Sequence, residues 1–135
     1  MTAPGTRSGP SAERPRDRAG RLLPWTAPDT DRAPDVPDIS DLSDSEVLRA
    51  AWSALDAGLP FHAHEICEQR WRTCAPGDRG VWRALAQWGA AETHAARGNV
   101  EGARRLAARA LDGLAGERDE DLALHRVQDR CRSLL

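Results

Sequence analysis

The residues of this chain that could do chemistry are concentrated in the stretch FHAHEICEQRW, residues 61–71. On an α-helix, His64, Glu68 and Trp71 follow the i, i+4, i+7 spacing and fall on one line of the helix surface. Because that line also carries apolar residues, an imidazole and a carboxylate lie inside a stripe that the helix should bury. Such groups are costly to bury unless they are paired or bound to a ligand. The spacing therefore predicts a polar site on this helix.

The neighbouring residues divide between this site and its surroundings. Glu65 falls at the edge of the stripe, whereas His62 points to the other side and is expected to face solvent. The side chains that should form the pocket wall are Phe61, Cys67 and Trp71. Cys67 is interpreted as a small hydrophobic core residue rather than a nucleophile.

A second polar pair occurs farther along the chain. Gln87 and His94, seven residues apart, share one helical face with three small residues, Ala84, Ala90 and Ala91. Small residues allow another helix to come close, and buried polar groups on facing helices should meet. We therefore expect Gln87 and His94 to join His64 and Glu68 in one buried pocket.

Three hypotheses account for this pocket. In the first, the four side chains form a hydrogen-bond network that fixes the helix register. In the second, His64, Glu65, Glu68, Gln87 and His94 supply ligands for a divalent transition metal such as zinc, iron or manganese. In the third, the site is catalytic: either His64 acts as a general base oriented by Glu68, or the protein is a metal-dependent hydrolase in which Glu65 acts on metal-bound water. Neither the Glu-x-x-His template of di-iron bundles nor the zincin motif H-E-x-x-H is present.

Helical periodicity and capping signals place these residues on an all-α framework. Ser43 and Glu46 form a capping box, Pro60 suits a first helical turn, and Asn99 can cap a further helix. No segment alternates as a β-strand would. The predicted helices cover residues 43–58, 60–72, 79–97, 100–115 and 119–134.

A weak repeat at an offset of about 40 residues relates two halves of this framework. Gly58 falls on Gly98 and Ala63 on Ala103, so each copy reads as a helix, a glycine turn and a second helix. The repeat resembles a tetratricopeptide-type hairpin. It predicts a compact bundle of about five helices, comprising two αα-hairpins and a C-terminal capping helix. An alternative function follows, in which the hairpins bind a protein partner and the polar cluster is only structural.

The chain before the first helix differs in composition. Residues 1–40 contain seven of the nine prolines and few aliphatic residues, so they should form a mostly irregular tail beside a bundle at residues 41–135. Trp25 is isolated in this tail, and we expect it to anchor the tail on the bundle.

Composition limits the partners. With 19 basic and 21 acidic residues and a net charge of −2, nothing favours nucleic acid or an anionic membrane, which leaves a protein partner or a homo-oligomer. Three scattered cysteines and the lack of an apolar leader favour a cytoplasmic protein. The exclusive use of Arg as the basic residue indicates a high-GC bacterial source.

The segments PFHAHEICEQRW and WRALAQWGAAETHAARGNVEGARRLAARAL together resemble the bacterial domain-of-unknown-function family 309. The resemblance covers about residues 44–115 and implies a small helical bundle without an established function. His62 departs from the glutamate of the family pattern. The positions that match are His64, Glu65, Glu68, Trp71, Gln87, His94, Gly98, Asn99, Gly102 and Ala103.

The tail segment ERPRDRAGRLLP resembles a signature that precedes this domain in high-GC members of the family. The resemblance implies that residues 13–25 are more than a linker. Arg16, Asp17 or Arg21 would then contact the bundle.

Overall fold

The computed structural model describes residues 14–117 and 122–135. In these residues, five α-helices follow one another and no β-strand forms beyond an isolated bridge between Arg16 and Leu22. The all-α prediction is confirmed. The helices are α1 (Asp44–Asp56), α2 (Pro60–Thr73), α3 (Arg79–Ala96), α4 (Val100–Leu114) and α5 (Leu124–Ser133).

The helix ends follow from local chemistry. The Ser43 hydroxyl accepts the Glu46 N–H while the Glu46 carboxylate accepts the Ser43 N–H, so the predicted capping box is present. The Asn99 side chain likewise accepts the Gly102 N–H at the start of α4. The predicted start of α5 is wrong, because Leu122 and Ala123 form a turn and the helix begins only at Leu124. Residues 119–121 of that prediction lie outside the described residues.

The helices pack in chain order, and α3 lies at the centre, where it contacts α2, α4 and α5. The glycine turns predicted at Gly58 and Gly98 are present, because these residues adopt positive φ angles of 78° and 79°. The largest fully buried side chains are Trp82, Trp88, Ile66, Leu85, Leu114, Val47 and Val127. In the described part of the chain, no helix is both long and apolar enough to cross a membrane.

Helices α2 and α3 approach each other closely where Gly89 meets the backbone of His64. A Cβ atom at Gly89 would lie 2.6 Å from the His64 nitrogen and 3.0 Å from its Cβ. Ala84, which the sequence assigned to the α2 interface, instead faces Gly113 of α4. The two helices can therefore cross at this point only because residue 89 has no side chain.

The tail lies against the helices as an ordered strap, defined here as residues 14–42. Four side chains of α2 and of the residue that ends α3 donate hydrogen bonds to strap carbonyls: Arg97 to Ala19, His62 to Pro34, Gln69 to Pro37 and Arg70 to Leu42. The expectation that His62 faces solvent is wrong, because the strap covers it and leaves only 5% of it exposed. Trp25 is not the anchor, since it is 56% exposed.

An ion pair between a buried carboxylate and a partly exposed arginine joins α5 to α3. The Glu92 side chain is 2% exposed and accepts hydrogen bonds from Arg130 Nε (2.6 Å), Arg130 Nη2 (2.8 Å) and Trp88 Nε1 (3.0 Å). The two N–H groups of Arg130 give the pair a bidentate geometry. Both oxygens of this carboxylate therefore accept hydrogen bonds from the protein itself.

Gly89→Ala should destabilise the protein by about 1–3 kcal/mol, because the new methyl group overlaps the backbone of α2. Gly80→Ala is the matched control in the same helix. Nothing lies within 4 Å of a Cβ atom there, so Gly80→Ala should be neutral or stabilising by about 0.5–1 kcal/mol. Urea denaturation measures both changes, and equal effects would contradict the proposed crossing.

Arg130→Ala should lower the free energy of unfolding by about 3 kcal/mol, because the buried Glu92 carboxylate loses its charged partner. Arg132→Ala, which breaks an exposed pair with Asp129, should cost less than about 0.5 kcal/mol. Chemical denaturation of the two variants tests the difference. A loss at Arg130 no larger than that at Arg132 would show that the pair does not hold α5.

Candidate functional site

The imidazole of His64 is fixed from one side by α3. Its Nδ1 atom lies 3.0 Å from the Ala86 carbonyl oxygen. Because a carbonyl oxygen can only accept, Nδ1 carries the proton and donates it to this bond. The close crossing at Gly89 brings the Ala86 carbonyl to this position. The other ring nitrogen, Nε2, is consequently directed away from α3.

Two carboxylates surround the Nε2 atom. Glu68 Oε2 lies 3.5 Å and Glu65 Oε2 lies 3.7 Å from it. Ligand atoms of the three residues all lie within 4.8 Å of one another. The side chains of His64, Glu65 and Glu68 are 21%, 29% and 30% exposed, so the group lies at the rim of the bundle rather than inside it. We call this group the His64 site.

This arrangement places three electron-rich atoms around one point. An Nε2 atom without a proton presents a lone pair, as do the two carboxylate oxygens, and these groups repel one another unless a cation lies between them. Arg72 supplies part of that charge, since its Nη2 atom lies 3.1 Å from Glu68 Oε1. It contacts the oxygen that does not face His64. The convergent atoms themselves can hold a proton or a metal ion.

The three side chains predicted to form the pocket wall lie in different places in the structure. The Phe61 ring lies beside the His64 imidazole, with ring centroids 5.9 Å apart. Trp71 instead stacks under the Arg79 guanidinium, which lies 5.5 Å from its centroid. Cys67 is fully buried in the core, and burial raises the pKa of its thiol to about 12, which keeps it protonated at neutral pH. Of the three predicted wall residues, Phe61 is therefore the one that the described structure places beside the His64 site.

The prediction that Gln87 and His94 join this pocket is wrong. Gln87 lines a separate groove of about 330 Å³ between α3 and α4, together with Arg109 of α4. His94 Nδ1 lies 3.0 Å from the Asn99 side-chain nitrogen, at the turn between α3 and α4. Gln87 and His94 do not reach the His64 site because of the rotation of α3 about its axis. This rotation turns Gly89 and the Ala86 carbonyl toward His64, and it turns the face of Gln87 and His94 toward α4.

His94 has a local structural role. Burial lowers the pKa of its imidazole, and the nearby charges of Arg97 and Arg105 lower it further. A neutral ring allows Nδ1 to accept the Asn99 side-chain N–H, while the Asn99 oxygen accepts the Gly102 N–H. His94 therefore supports the start of α4.

An open groove of about 790 Å³ runs between the strap and α2 and reaches the His64 site through Glu65. Its lining includes Arg16 and Asp17, two of the tail residues expected to contact the bundle. The Arg16 guanidinium lies over the Phe61 ring at 4.4 Å from its centroid. Asp17 accepts the Arg21 backbone N–H and pairs with the Arg21 side chain at 3.7 Å. The exposed ring of Trp25 lines the same groove.

Three groups that build the site were not predicted from the sequence. The Ala86 carbonyl is a backbone group that no side-chain pattern identifies, and Gly89 reads in isolation only as a weak point of a helix. Arg72 could have been found, because Glu68 and Arg72 have the i, i+4 spacing of a helical ion pair.

The comparisons with known proteins agree with the family resemblance. Residues 48–106 match the family model described as Domain of unknown function (DUF309). No curated protein and no solved structure shows a significant match to the chain. This matched stretch is 59 of the 135 residues and contains the His64 site, so the resemblance to the DUF309 family that the sequence predicted is supported over these residues.

Proposed function

We propose that the protein binds a divalent transition-metal ion through His64 Nε2 and the carboxylates of Glu65 and Glu68. One observation carries the proposal: Nε2 faces the Oε2 atoms of both glutamates, at 3.5 Å and 3.7 Å, while Nδ1 is held by a backbone carbonyl. Metal-ligating histidines are commonly oriented in this way by a carbonyl on the other ring nitrogen.

The donor set favours particular ions. One imidazole and two carboxylates suit zinc, iron or manganese, and they offer no thiolate that would select a softer metal. Small movements of the glutamate side chains would bring the three atoms from their present separations to coordination distance. An ion held there would supply Lewis-acid chemistry. Because all three ligands come from α2, the outward side of the ion would stay open to water or a small molecule.

A purely structural role for the polar group has less support. The three side chains are partly exposed, so water competes with any hydrogen bond that would fix the helix register. The register of α2 on α3 already has a steric cause in the contact between His64 and Gly89. Gln87 and His94, which a buried network would have needed, lie elsewhere. We therefore favour metal binding over both the structural network and a tetratricopeptide-like interaction module.

Untagged protein freed of metal with a chelator should bind close to one equivalent of zinc, manganese or iron(II). His64→Ala should weaken that binding by at least about 100-fold, because it removes the only nitrogen ligand. Affinity should also fall as the pH is lowered, since protons compete with the metal for Nε2. Isothermal titration calorimetry and metal analysis of the purified protein measure these effects.

His125→Ala is the matched control, because His125 is exposed on α5 and far along the chain from the site. It should leave metal binding unchanged. In metal-free protein, His64→Ala should cost only about 1 kcal/mol of stability, the value of one hydrogen bond. Less than a tenth of an equivalent of metal in wild-type protein, with no thermal shift on adding any of the three ions, would overturn the proposal.

A further inference from the structure

Three arginines gather around one turn of the strap. Arg16 Nη1 donates to the Gly20 carbonyl at 2.6 Å, and Arg97 Nε donates to the Ala19 carbonyl at 3.0 Å. A Cβ atom at Gly20 would lie 2.9 Å from Arg97 Nη2. Arg21 follows directly in the chain. The strap thereby brings two guanidinium groups of its own to the C-terminal end of α3, where Arg97 adds a third.

The charges of this group are only partly balanced. Among the described residues, Asp17 is the acidic side chain seen to pair with it, at 3.7 Å from Arg21 Nη1. Burial lowers the pKa of Arg97, Arg16 and Arg21 lower it further, and Asp17 opposes them. Three guanidinium charges and one carboxylate leave a net charge of +2. Holding like charges together is unfavourable unless a bound anion compensates them.

The fold orients the arginines, but some of their N–H donors make no hydrogen bond to the described residues. Arg16 lies over the Phe61 ring, and Arg97 is fixed through its Nε atom, so each keeps N–H donors that no hydrogen bond to the described residues takes. The Arg21 side chain is 54% exposed and contacts Asp17 only at ion-pair distance. A guanidinium group that is oriented by one bond and has free N–H groups is suited to bidentate binding of an oxyanion.

We propose that Arg16, Arg21 and Arg97 form a binding site for the phosphate group of a phosphate monoester. A monoester carries a charge of about −1.5 to −2 at neutral pH, which matches the net charge of the arginine group. A ligand with a single carboxylate group would compensate only half of this net charge. The sequence suggested the same tail residues, Arg16, Asp17 and Arg21, as contacts of the bundle, and this site gives them a common role.

The groove beside the strap indicates where the rest of such a ligand would lie. Arg16 and Asp17 line the groove at one point and Glu65 lines it at another. Its volume of about 790 Å³ falls in the range of small-molecule sites. A phosphorylated small molecule bound by Arg16 could therefore reach the His64 site. This last step rests on the proposed metal site, whereas the phosphate site itself does not.

The test titrates inorganic phosphate into metal-free, full-length protein at constant ionic strength, with chloride and acetate in parallel, by calorimetry. Wild-type protein should bind phosphate more tightly than either control anion. Arg21→Gln should weaken phosphate binding about tenfold, the effect of losing a hydrogen bond between charged groups. Arg21 is the informative position because its side chain holds no other part of the fold. Arg18→Gln, an equal change of charge at an exposed residue of the same turn, should change the affinity less than about twofold.

Three results would overturn the inference: phosphate binding no tighter than chloride binding, acetate binding as tight as phosphate binding, or an equal loss in Arg18→Gln and Arg21→Gln. An equal loss in the two variants would mean that the positive charge of the strap attracts phosphate generally, without a specific site. Repeating the titration with His64→Ala separates the two proposals. Phosphate affinity should persist in that variant, so a protein that binds phosphate but no metal would refute only the metal site. A protein that binds metal but not phosphate would refute only the arginine site.

Discussion

The close packing of α2 on α3 at His64 and Gly89 is the constraint on which the candidate site depends. Without a side chain at residue 89, the two backbones come into direct contact, and the Ala86 carbonyl meets the His64 imidazole. That one hydrogen bond decides which ring nitrogen carries the proton. The other ring nitrogen, Nε2, then faces the carboxylates of Glu65 and Glu68, which follow His64 on α2 by one and four residues. A steric fact about one glycine thus determines the chemistry available at the surface.

The features that depend on sequence-local physics could be predicted. The capping box at Ser43, the Asn99 cap and the glycine turns act within a few residues, so the helices and their pairing into hairpins follow from the sequence. The grouping of His64 with Glu68 follows in the same way, since the i, i+4 spacing places them together on any α-helix. Glu65, expected at the edge of the stripe, belongs to the same group.

The features that depend on helix rotation and on the strap could not be predicted. Several faces of α3 carry small residues, and the sequence does not say whether Ala84 or Gly89 meets α2. The choice decides that Gln87 and His94 face α4 instead of His64. His62 was misjudged for a different reason: the helical pattern describes α2 alone, whereas Pro34, twenty-eight residues earlier, covers the ring. Long-range contacts of irregular segments leave no periodic signal.

Two groups of carboxylates in this protein show how a structural acid differs from a candidate ligand. Glu92 is buried, and three N–H donors of Arg130 and Trp88 surround its two oxygens, so it lacks room and charge for anything else. Glu65 and Glu68 lie at the rim with their Oε2 atoms directed at an imidazole nitrogen that is itself an acceptor when unprotonated. Removing the charge partner of Glu92 should therefore lower the stability of the fold. Adding a cation to the His64 site should instead relieve the repulsion between its electron-rich atoms. The fold uses the Glu92 carboxylate to hold α5, whereas it directs the Oε2 atoms of Glu65 and Glu68 toward the His64 imidazole.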